Sequence, residues 1–351
     1  MENSMHVVHR EDPSIKEGAR GRTVFILKCV CSALLLTLLV WRMDVGSIWS
    51  ILKSVNPLYL PIIIFLNLFV YVVVTVRWRM LLREVSQPLS FMYLYVLNLI
   101  GAYYSLIIPV QSASDVIRAF RLSSKLQNKA GGIGSVIAEK LVGFIALFFV
   151  GFLSVGAFSL QAERGFRSPG MGEWVQDVIS FFSWSFGAIT IIAGIFLFFP
   201  LGNALEHWLM RASFRLKHNR MVPFLVEMFR ALNQVFSSKM FFLKVFSLSI
   251  LWIAGIGLSY WFTSRAINVN VSYSWLIFVF CVASLGQLLP LSVGGFGIRE
   301  GIFVFFLSGC GVPKESAFAL SVLLGILGMI SYLVPGLLFE LNIIETPSPD
   351  A

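Results

Sequence analysis

Six charged residues lie within or at the ends of long apolar stretches, where an ionised side chain is costly to bury. They are Asp115, Arg118, Glu139, Lys140, Arg299 and Glu300. Guanidinium and ammonium groups bind phosphate through charge-assisted hydrogen bonds, and nearby carboxylates can balance their charge. The pattern therefore predicts a substrate-binding cluster for an anionic group. The alternative interpretation is a set of structural ion pairs that hold helices together.

Four of these six residues form two pairs of neighbours in the sequence. Consecutive residues on a helix point about 100° apart, so we expect poor pairing between Arg299 and Glu300. The same argument applies to Glu139 and Lys140. Each of the four side chains is then expected to reach another element or the substrate.

Prolines and glycines mark backbone breaks beside the charges. The stretch Gly294-Gly295-Phe296-Gly297 lacks the preceding strand and the lysine of a nucleotide-binding loop, so it favours the tight backbone of a hairpin. The residues assigned to this backbone role are Pro109, Pro290, Gly294, Gly295, Gly297 and Gly301. The four cysteines and four histidines lack the spacing of metal ligands. The sequence predicts no catalytic residue, cofactor or metal.

The composition is that of a membrane protein. Apolar residues make up 57% of the chain and charged residues 13%, with a mean hydropathy of +0.83. A soluble domain has about 45–50% apolar and about 25% charged residues. This excludes a soluble enzyme and, despite the net charge of +9, a nucleic-acid-binding domain with a dense basic patch. We expect an all-α polytopic membrane protein.

Eight apolar segments follow from the uncharged runs. A spanning helix needs about 20 residues, and six segments are predicted to be full spans, at Val24–Trp41, Leu58–Val76, Leu141–Ala162, Val178–Leu205, Val245–Ser264 and Ser316–Phe339. Two segments are interrupted by breakers and are predicted to be re-entrant hairpins: Pro88–Ser114, and Ala266–Ile298 together with Gly301–Pro313. Residues 1–23 are predicted to form a cytoplasmic tail and residues 341–351 a polar tail.

The distribution of basic residues predicts the sidedness. If Pro88–Ser114 enters and leaves on one face, 18 of the 27 basic residues collect on the cytoplasmic side, as the positive-inside rule requires. They are four in 1–23, three in 77–83, four in 118–129 and seven in 206–244. If every run crosses, 11 of them fall on the wrong side. The charges therefore favour the hairpin, with a cytoplasmic N-terminus.

The two predicted hairpins look like copies of one another. Aligning Pro109 with Pro290 also aligns Arg118 with Arg299, each nine residues after its proline. Each hairpin follows two spans and precedes one, so each copy crosses three times and the two copies must be inverted. Paired broken elements near the membrane midplane are typical of secondary transporters. The alternative is two unrelated proline-broken helices.

This repeat defines the predicted organisation. The first transmembrane repeat covers 24–162, an external loop 163–177, and the second repeat 178–340. Within the second repeat, residues 203–240 contain apolar side chains at helical spacing, namely Leu225, Met228, Phe229, Leu232, Val235 and Phe236. This spacing predicts an amphipathic helix on the cytoplasmic leaflet, with an ordinary connection between spans as the alternative.

Four motifs resemble those of one known family. They are RWxxLL at Arg77–Leu82, P…GGDxxRAxR at Pro109 and Asp115–Arg121, E-R-L-x-G at Glu139–Gly143, and LP…GGxGxREG at Leu289–Gly301. The chain resembles, over about residues 24–340, the lysylphosphatidylglycerol synthase transmembrane-domain family, also called flippase-like. Two departures are Ala113-Ser114 in place of Gly-Gly, which affects the first hairpin, and Lys140 in place of Arg, which loses a bidentate contact.

The resemblance implies a lipid-translocating membrane domain. In full-length synthases this domain flips a lipid that a cytoplasmic aminoacyltransferase domain makes. Only the polar tail follows the last span here, so that soluble domain and its activity are not expected.

The resulting hypothesis is a flippase-like transporter of an amphipathic lipid, anionic or glycosylated, in a bacterial cytoplasmic (inner) membrane. The alternative is a non-transporting accessory subunit of a lipid-modifying or glycosyl-transferring enzyme. The expected partners are a membrane lipid as substrate and a lipid-modifying enzyme, without nucleic acid. The lipid, the direction and energy source of transport, and the oligomeric state stay open.

Overall fold

The computed structural model describes residues 13–41, 43–108, 113–123, 125–126, 128–161, 173–198, 221–289, 292, 295–344 and 347–349. Regular structure within these residues is helical, without strands. The helices are α1 (Pro13–Trp41), α2 (Val45–Lys53), α3 (Leu60–Val85), α4 (Phe91–Ile107), α5 (Ala113–Ser123), α6 (Lys129–Gln161), α7 (Glu173–Phe198), α8 (Met221–Ser237), α9 (Lys239–Ala266), α10 (Tyr273–Gly286), α11 (Ile298–Gly309), α12 (Lys314–Gly328) and α13 (Val334–Glu340). A 3₁₀ turn at Pro57–Tyr59 precedes α3, and a π-helical segment at Met329–Leu333 joins α12 to α13.

Five described helical stretches are long and apolar enough to cross a membrane. They are Pro57–Val85, Lys129–Leu160, Gln176–Ile195, Lys239–Ala266 and Lys314–Glu340. A sixth is added if Leu27–Trp41 and Val45–Lys53, which meet at 92°, count as one bent span. Helices of this kind satisfy their backbone hydrogen bonds internally, as a bilayer requires. The predicted class, an all-α protein with several membrane spans, is confirmed.

Two helices extend beyond the predicted spans and carry charges inside them. α3 continues to Val85, so Arg77 lies within the helix and not after it. α6 begins at Lys129, so Glu139 and Lys140 lie inside this helix and not at its start. The predicted spans ended where the uncharged runs end. The helices continue beyond them, because ion pairs within the protein allow a helix to include charged residues.

The two segments predicted to be hairpins are both broken helices. α4 and α5 are separated by residues 108–112 and pack against each other, and so do α10 and α11 across residues 287–297. At the second break Gly295 and Gly297 have φ angles of 79° and 89°, a conformation that glycine adopts without strain. Pro109, Pro290 and Gly294 lie outside the described residues.

The two halves of the chain pack with exchanged partners. α6, the last long helix of the first half, packs on α10 and α7 of the second half. Likewise, α13 packs on α4 and α12 packs on α2 of the first half. α3 and α9 run antiparallel, because Asn67 bonds to Ser259 and Arg77 bonds to Ser249. A large aromatic core, with Phe186, Trp275 and Phe278 almost fully buried, fills the space between α6, α7 and α10.

The segment 203–240 is described from Met221 onward, where α8 forms. One face of α8 packs on α3, α6 and α9, and Val235 in this face is fully buried. Gln234 donates a hydrogen bond from Nε2 to the carbonyl oxygen of Glu84, at 2.8 Å. α8 is therefore an amphipathic helix whose buried residues contact the protein's own helices.

The close approach of α13 to α4 depends on a glycine. A Cβ at Gly336 would overlap the backbone carbonyl of Leu99, which cannot move without shifting α4. We expect Gly336→Ala to cost about 2 kcal/mol of stability, as for other overpacked sites. The matched variant Gly156→Ala meets no atom within 4 Å and is expected to be neutral or to stabilise its helix by about 0.5–1 kcal/mol. Thermal unfolding in detergent measures both, and equal melting temperatures would contradict this packing.

Candidate functional site

The charged residues of the first half form a continuous network. Lys140 Nζ donates to Asp115 Oδ2 at 2.7 Å, and Arg118 Nη2 donates to Asp115 Oδ1 at 2.6 Å. Arg118 Nη1 also donates to Glu139 Oε2 at 3.0 Å. The structure therefore brings together four of the six predicted residues, on α5 and α6.

A residue outside the predicted set completes this network. Arg77 Nη2 donates to Glu139 Oε1 at 2.8 Å, so the carboxylate of Glu139 bridges two guanidinium groups. Arg77 Nη1 donates to Ser249 Oγ at 3.0 Å, which ties α3 and α6 to α9 of the second half. Arg77 belongs to the RWxxLL motif. Because it follows the predicted span Leu58–Val76, the sequence indicated a loop at the membrane surface for this residue.

Polar and aromatic neighbours hold the two arginines. Arg118 Nη1 donates to Asn98 Oδ1 at 2.7 Å, and Asn98 in turn donates to Thr75 Oγ1 at 2.9 Å. The guanidinium of Arg118 lies 4.8 Å from the ring centroid of Trp78, within range of a cation–π interaction. Because buried guanidinium groups need such partners, these contacts fix Arg118 in one orientation.

Exposure divides the network into a buried part and an accessible part. The side chains of Glu139 and Arg118 are 3% and 7% exposed, whereas that of Lys140 is 41% exposed. Asp115 accepts hydrogen bonds from both cations and so links the buried arginine to the accessible lysine.

The charged pair of the second half corrects a prediction. Arg299 pairs with its neighbour Glu300, with Nη2 and Nε at 2.6 and 3.0 Å from Oε1. The expectation that these adjacent residues pair poorly is wrong. Glu300 folds back to accept the backbone N–H of Gly297 at 2.7 Å, as in a capping box, and this turns its other oxygen toward the long arginine side chain.

Glycines make room for both cationic side chains. A Cβ at Gly325 of α12 would lie 2.5 Å from Arg299 Nη2, so the guanidinium packs directly on the helix backbone. A Cβ at Gly101 of α4 would lie 3.1 Å from Arg118 Cγ. These two positions therefore admit the arginines of the two broken elements.

The charged residues surround a cavity of about 470 Å³ between the two halves. Its wall includes Asp115, Arg118, Glu139 and Lys140 from the first half and Arg299 from the second. Further polar lining residues are Asn67, Tyr71, Arg77, Asn98, Ser105, Ser114, Ser259, Tyr260, Ser284, Gln287 and Tyr332. Glu300 is 1% exposed and lies behind Arg299. Charges from both halves therefore border one cavity.

The predicted backbone residues have different surroundings. Gly295 lies beside the side chain of Gln287 at the second break, and Gly297 is the N-cap of α11 and lies against α1 near Leu35. Gly301 lies within α11, where an added Cβ would be 3.8 Å from the side chain of Leu39. The tyrosines of the wall were not predicted from the sequence, because an aromatic residue in an apolar run gives no local sign that it lines a cavity.

A second ionic contact joins the halves outside the cavity. Arg121 Nη2 lies 2.6 Å from both carboxylate oxygens of Glu340, and the hydroxyl of Tyr104 donates to Glu340 Oε1 at 2.6 Å. These side chains come from α5, α13 and α4. The broken element of the first half is therefore fastened to the last helix of the second half.

Fold and site together define a polytopic helical membrane protein with an internal charged cavity. Residues 25–336 match the family model described as the lysylphosphatidylglycerol synthase TM region, so the chain belongs to this family. It is similar to UPF0104 membrane proteins of two organisms. The relative from Methanocaldococcus jannaschii is 21% identical over 88% of this chain and 91% of its own. One from Methanothermobacter thermautotrophicus is 23% identical over 95% of this chain and 96% of its own.

Among the described residues, no group of histidine, cysteine and carboxylate side chains is placed to hold a metal.

Glu139 is the residue on which the buried network depends. Its replacement by glutamine leaves Arg77 and Arg118 buried without their shared anion, and breaking a buried ion pair costs about 3–5 kcal/mol. The matched variant Lys140→Met removes a half-exposed partner and is expected to cost less than about 1 kcal/mol. Thermal unfolding in detergent compares the two. If the Glu139→Gln variant has the same melting temperature as the wild type, the shared carboxylate is not what stabilises the network.

Proposed function

We propose that this protein is a flippase-like transporter that moves an amphipathic lipid between the two leaflets of its membrane. The observation that carries the proposal is the cavity of about 470 Å³, lined with charges from both halves of an otherwise apolar helical protein. A polar head group would occupy this cavity while the acyl chains stay among apolar side chains. Ionisable groups at membrane depth are typical of such substrate pathways.

The faces of α5 support a lipid environment around the charged network. Its charged side chains Asp115 and Arg118 point into the protein, whereas Val116 and Phe120 are 61% and 73% exposed. A helix at an aqueous surface has the opposite arrangement. The apolar outer face of α5 therefore fits contact with lipid, a few residues from the cavity.

The exchanged packing of the halves supports inverted repeats. In an inverted repeat, α4–α5 would correspond to α10–α11, and α6 would correspond to α12–α13. The contact of α6 with α10 then has its counterpart in the contact of α13 with α4. The contact of α6 with α7 has its counterpart in the contact of α12 with α2. The antiparallel contact of α3 and α9 then lies on the symmetry axis. In this proposal the broken pairs are re-entrant hairpins, and rocking of one repeat against the other gives alternating access.

The six residues have different roles in this proposal. Lys140 and Arg299 are the accessible cations, at 41% and 19% exposure, and contact the head group from the two halves. Arg118, Asp115, Glu139 and Glu300 set their positions through ion pairs. This division of roles follows from burial, since a group sealed behind others cannot meet a substrate directly.

The charges at the ends of the helices support the proposed orientation. The basic residues after the apolar part of α3 and around the α5–α6 connection lie on the side proposed to be cytoplasmic, in accord with the positive-inside rule. The N-terminus is then cytoplasmic, in a bacterial inner membrane. The role of accessory subunit is less favoured, because the buried face of α8 contacts the chain itself and so is not offered to a partner enzyme.

Leaflet exchange in vesicles tests the transport function. Purified protein is reconstituted with a trace of a head-group-intact, fluorescent phosphatidylglycerol, and bleaching of the outer leaflet by dithionite reports the exchange rate. We expect Lys140→Met and Arg299→Met each to slow exchange by about tenfold or more, the effect of losing one charge-assisted hydrogen bond. Lys314→Met, on an exposed lysine at the start of α12, is the control.

The outcomes separate the proposal from its alternatives. Exchange at the wild-type rate in both cavity variants would show that Lys140 and Arg299 do not meet the lipid. Vesicles with wild-type protein that exchange none of the lipids tested, anionic or glycosylated, would contradict transport altogether.

A further inference from the structure

The ionised groups around the cavity do not cancel. Four cations and three anions contribute, namely Arg77, Arg118, Lys140 and Arg299 against Asp115, Glu139 and Glu300. The break residues outside the described part of the chain, 109–112, 290–291 and 293–294, contain no ionisable side chain. The site therefore carries one positive charge in excess. Such a charge in apolar surroundings favours a ligand that neutralises it.

The unused hydrogen-bond donors show where this charge is available. Lys140 uses one of its three ammonium hydrogens, on Asp115. Arg299 uses Nε and Nη2 on Glu300, and its Nη1 makes no hydrogen bond to any residue that the structure describes. Arg77 and Arg118 are 6% and 7% exposed and bound to Glu139, and their unpaired Nε atoms are buried. A ligand anion therefore meets Lys140 from one half and Arg299 from the other.

Three tyrosine side chains line the same cavity. Tyr71 and Tyr332, one from each half, stack with ring centroids 5.0 Å apart, and Tyr260 lies with them in the wall. Tyr332 belongs to the π-helical segment, and Gly328 leaves room for its hydroxyl, since a Cβ there would lie 2.6 Å away. Local π-helix is frequent at functional sites.

We propose that the cavity selects a phosphodiester lipid with one net negative charge and a hydroxyl-bearing, otherwise uncharged head, such as a polyol or a sugar. The proposal rests on the transport function above and narrows its substrate class. One phosphodiester charge balances the excess charge of the site, and hydroxyls of the head exchange hydrogen bonds with Tyr71, Tyr260 and Tyr332. A zwitterionic head leaves the excess charge unbalanced, and a phosphomonoester overcompensates it.

Binding of short-chain lipids tests this selection without transport. The probes are dihexanoyl phosphatidylglycerol, phosphatidylcholine and phosphatidic acid, titrated into detergent-solubilised wild-type protein, with intrinsic fluorescence or thermal shift as the readout. We expect phosphatidylglycerol to bind about tenfold more tightly than either competitor, the usual value of one charge-assisted hydrogen bond. Equal affinities, or preference for the zwitterion or the phosphomonoester, would overturn the proposal.

Charge variants test the cause of the preference. Lys140→Gln and Arg299→Gln each remove the excess charge from a different half, and both are expected to lower the preference for phosphatidylglycerol over phosphatidylcholine to within twofold. Lys314→Gln keeps the preference, because Lys314 lies at the exposed start of α12, outside the cavity. If both cavity variants fold, as their unfolding temperatures report, and keep the wild-type preference, the charge argument fails.

A second comparison tests the hydroxyl contacts. Dihexanoyl phosphatidylmethanol has the same charge as phosphatidylglycerol without the polyol, and the wild-type protein is expected to bind it more weakly. Tyr332→Phe is expected to remove most of this difference while the preference for a single negative charge stays. An unchanged difference in this variant would overturn the tyrosine contact. If selective binding is found but no lipid exchanges in vesicles, the transport function fails, and the selectivity of the cavity stands as a binding property.

Discussion

The structure depends on one carboxylate shared by two buried guanidinium groups. Glu139 accepts Arg77 at 2.8 Å and Arg118 at 3.0 Å, with all three side chains below about a tenth exposed. An unpaired charge at such a position is strongly unfavourable, so each arginine constrains the helix that carries it. Through this carboxylate α3, α5 and α6 have one relative placement, and Ser249 extends the constraint to α9. The accessible cation Lys140 is then placed through Asp115.

Close backbone contact is the second requirement, and it is met differently in the two halves. In the first half Gly101 lets α5 approach α4, so that Ser114 and Arg118 of α5 pack directly against it. In the second half Gly325 and Gly328 of α12 admit Arg299 and Tyr332. Small residues allow helices in membranes to approach closely, and here they also create the space that polar side chains occupy. Packing and the cavity therefore have the same origin.

The last helix of each half packs against the other half, and for this reason residues of both halves line the cavity. α6 lies against the second broken pair and α13 against the first, so neither half completes the wall alone. The contact of Arg121 and Tyr104 with Glu340 holds one such junction at its edge. The proposed rocking of the halves would act at these junctions, since packed helices move as units while their interfaces change.

Hydropathy, breakers and charges are local properties of the chain, so the membrane class, the two helix breaks and six of the seven charged residues at the cavity could be predicted from the sequence. Which charges meet depends on the tertiary structure. Arg77 joined the site because α3 continues past its apolar run, and Arg299 turned to Glu300 because the Gly297 cap rotates that carboxylate. Tyr71 and Tyr332 meet only through the contact of α3 with the π-helical segment. Contacts between residues that are tens to hundreds of positions apart depend on how the helices pack, and the spacing of residues along the chain does not reveal this packing.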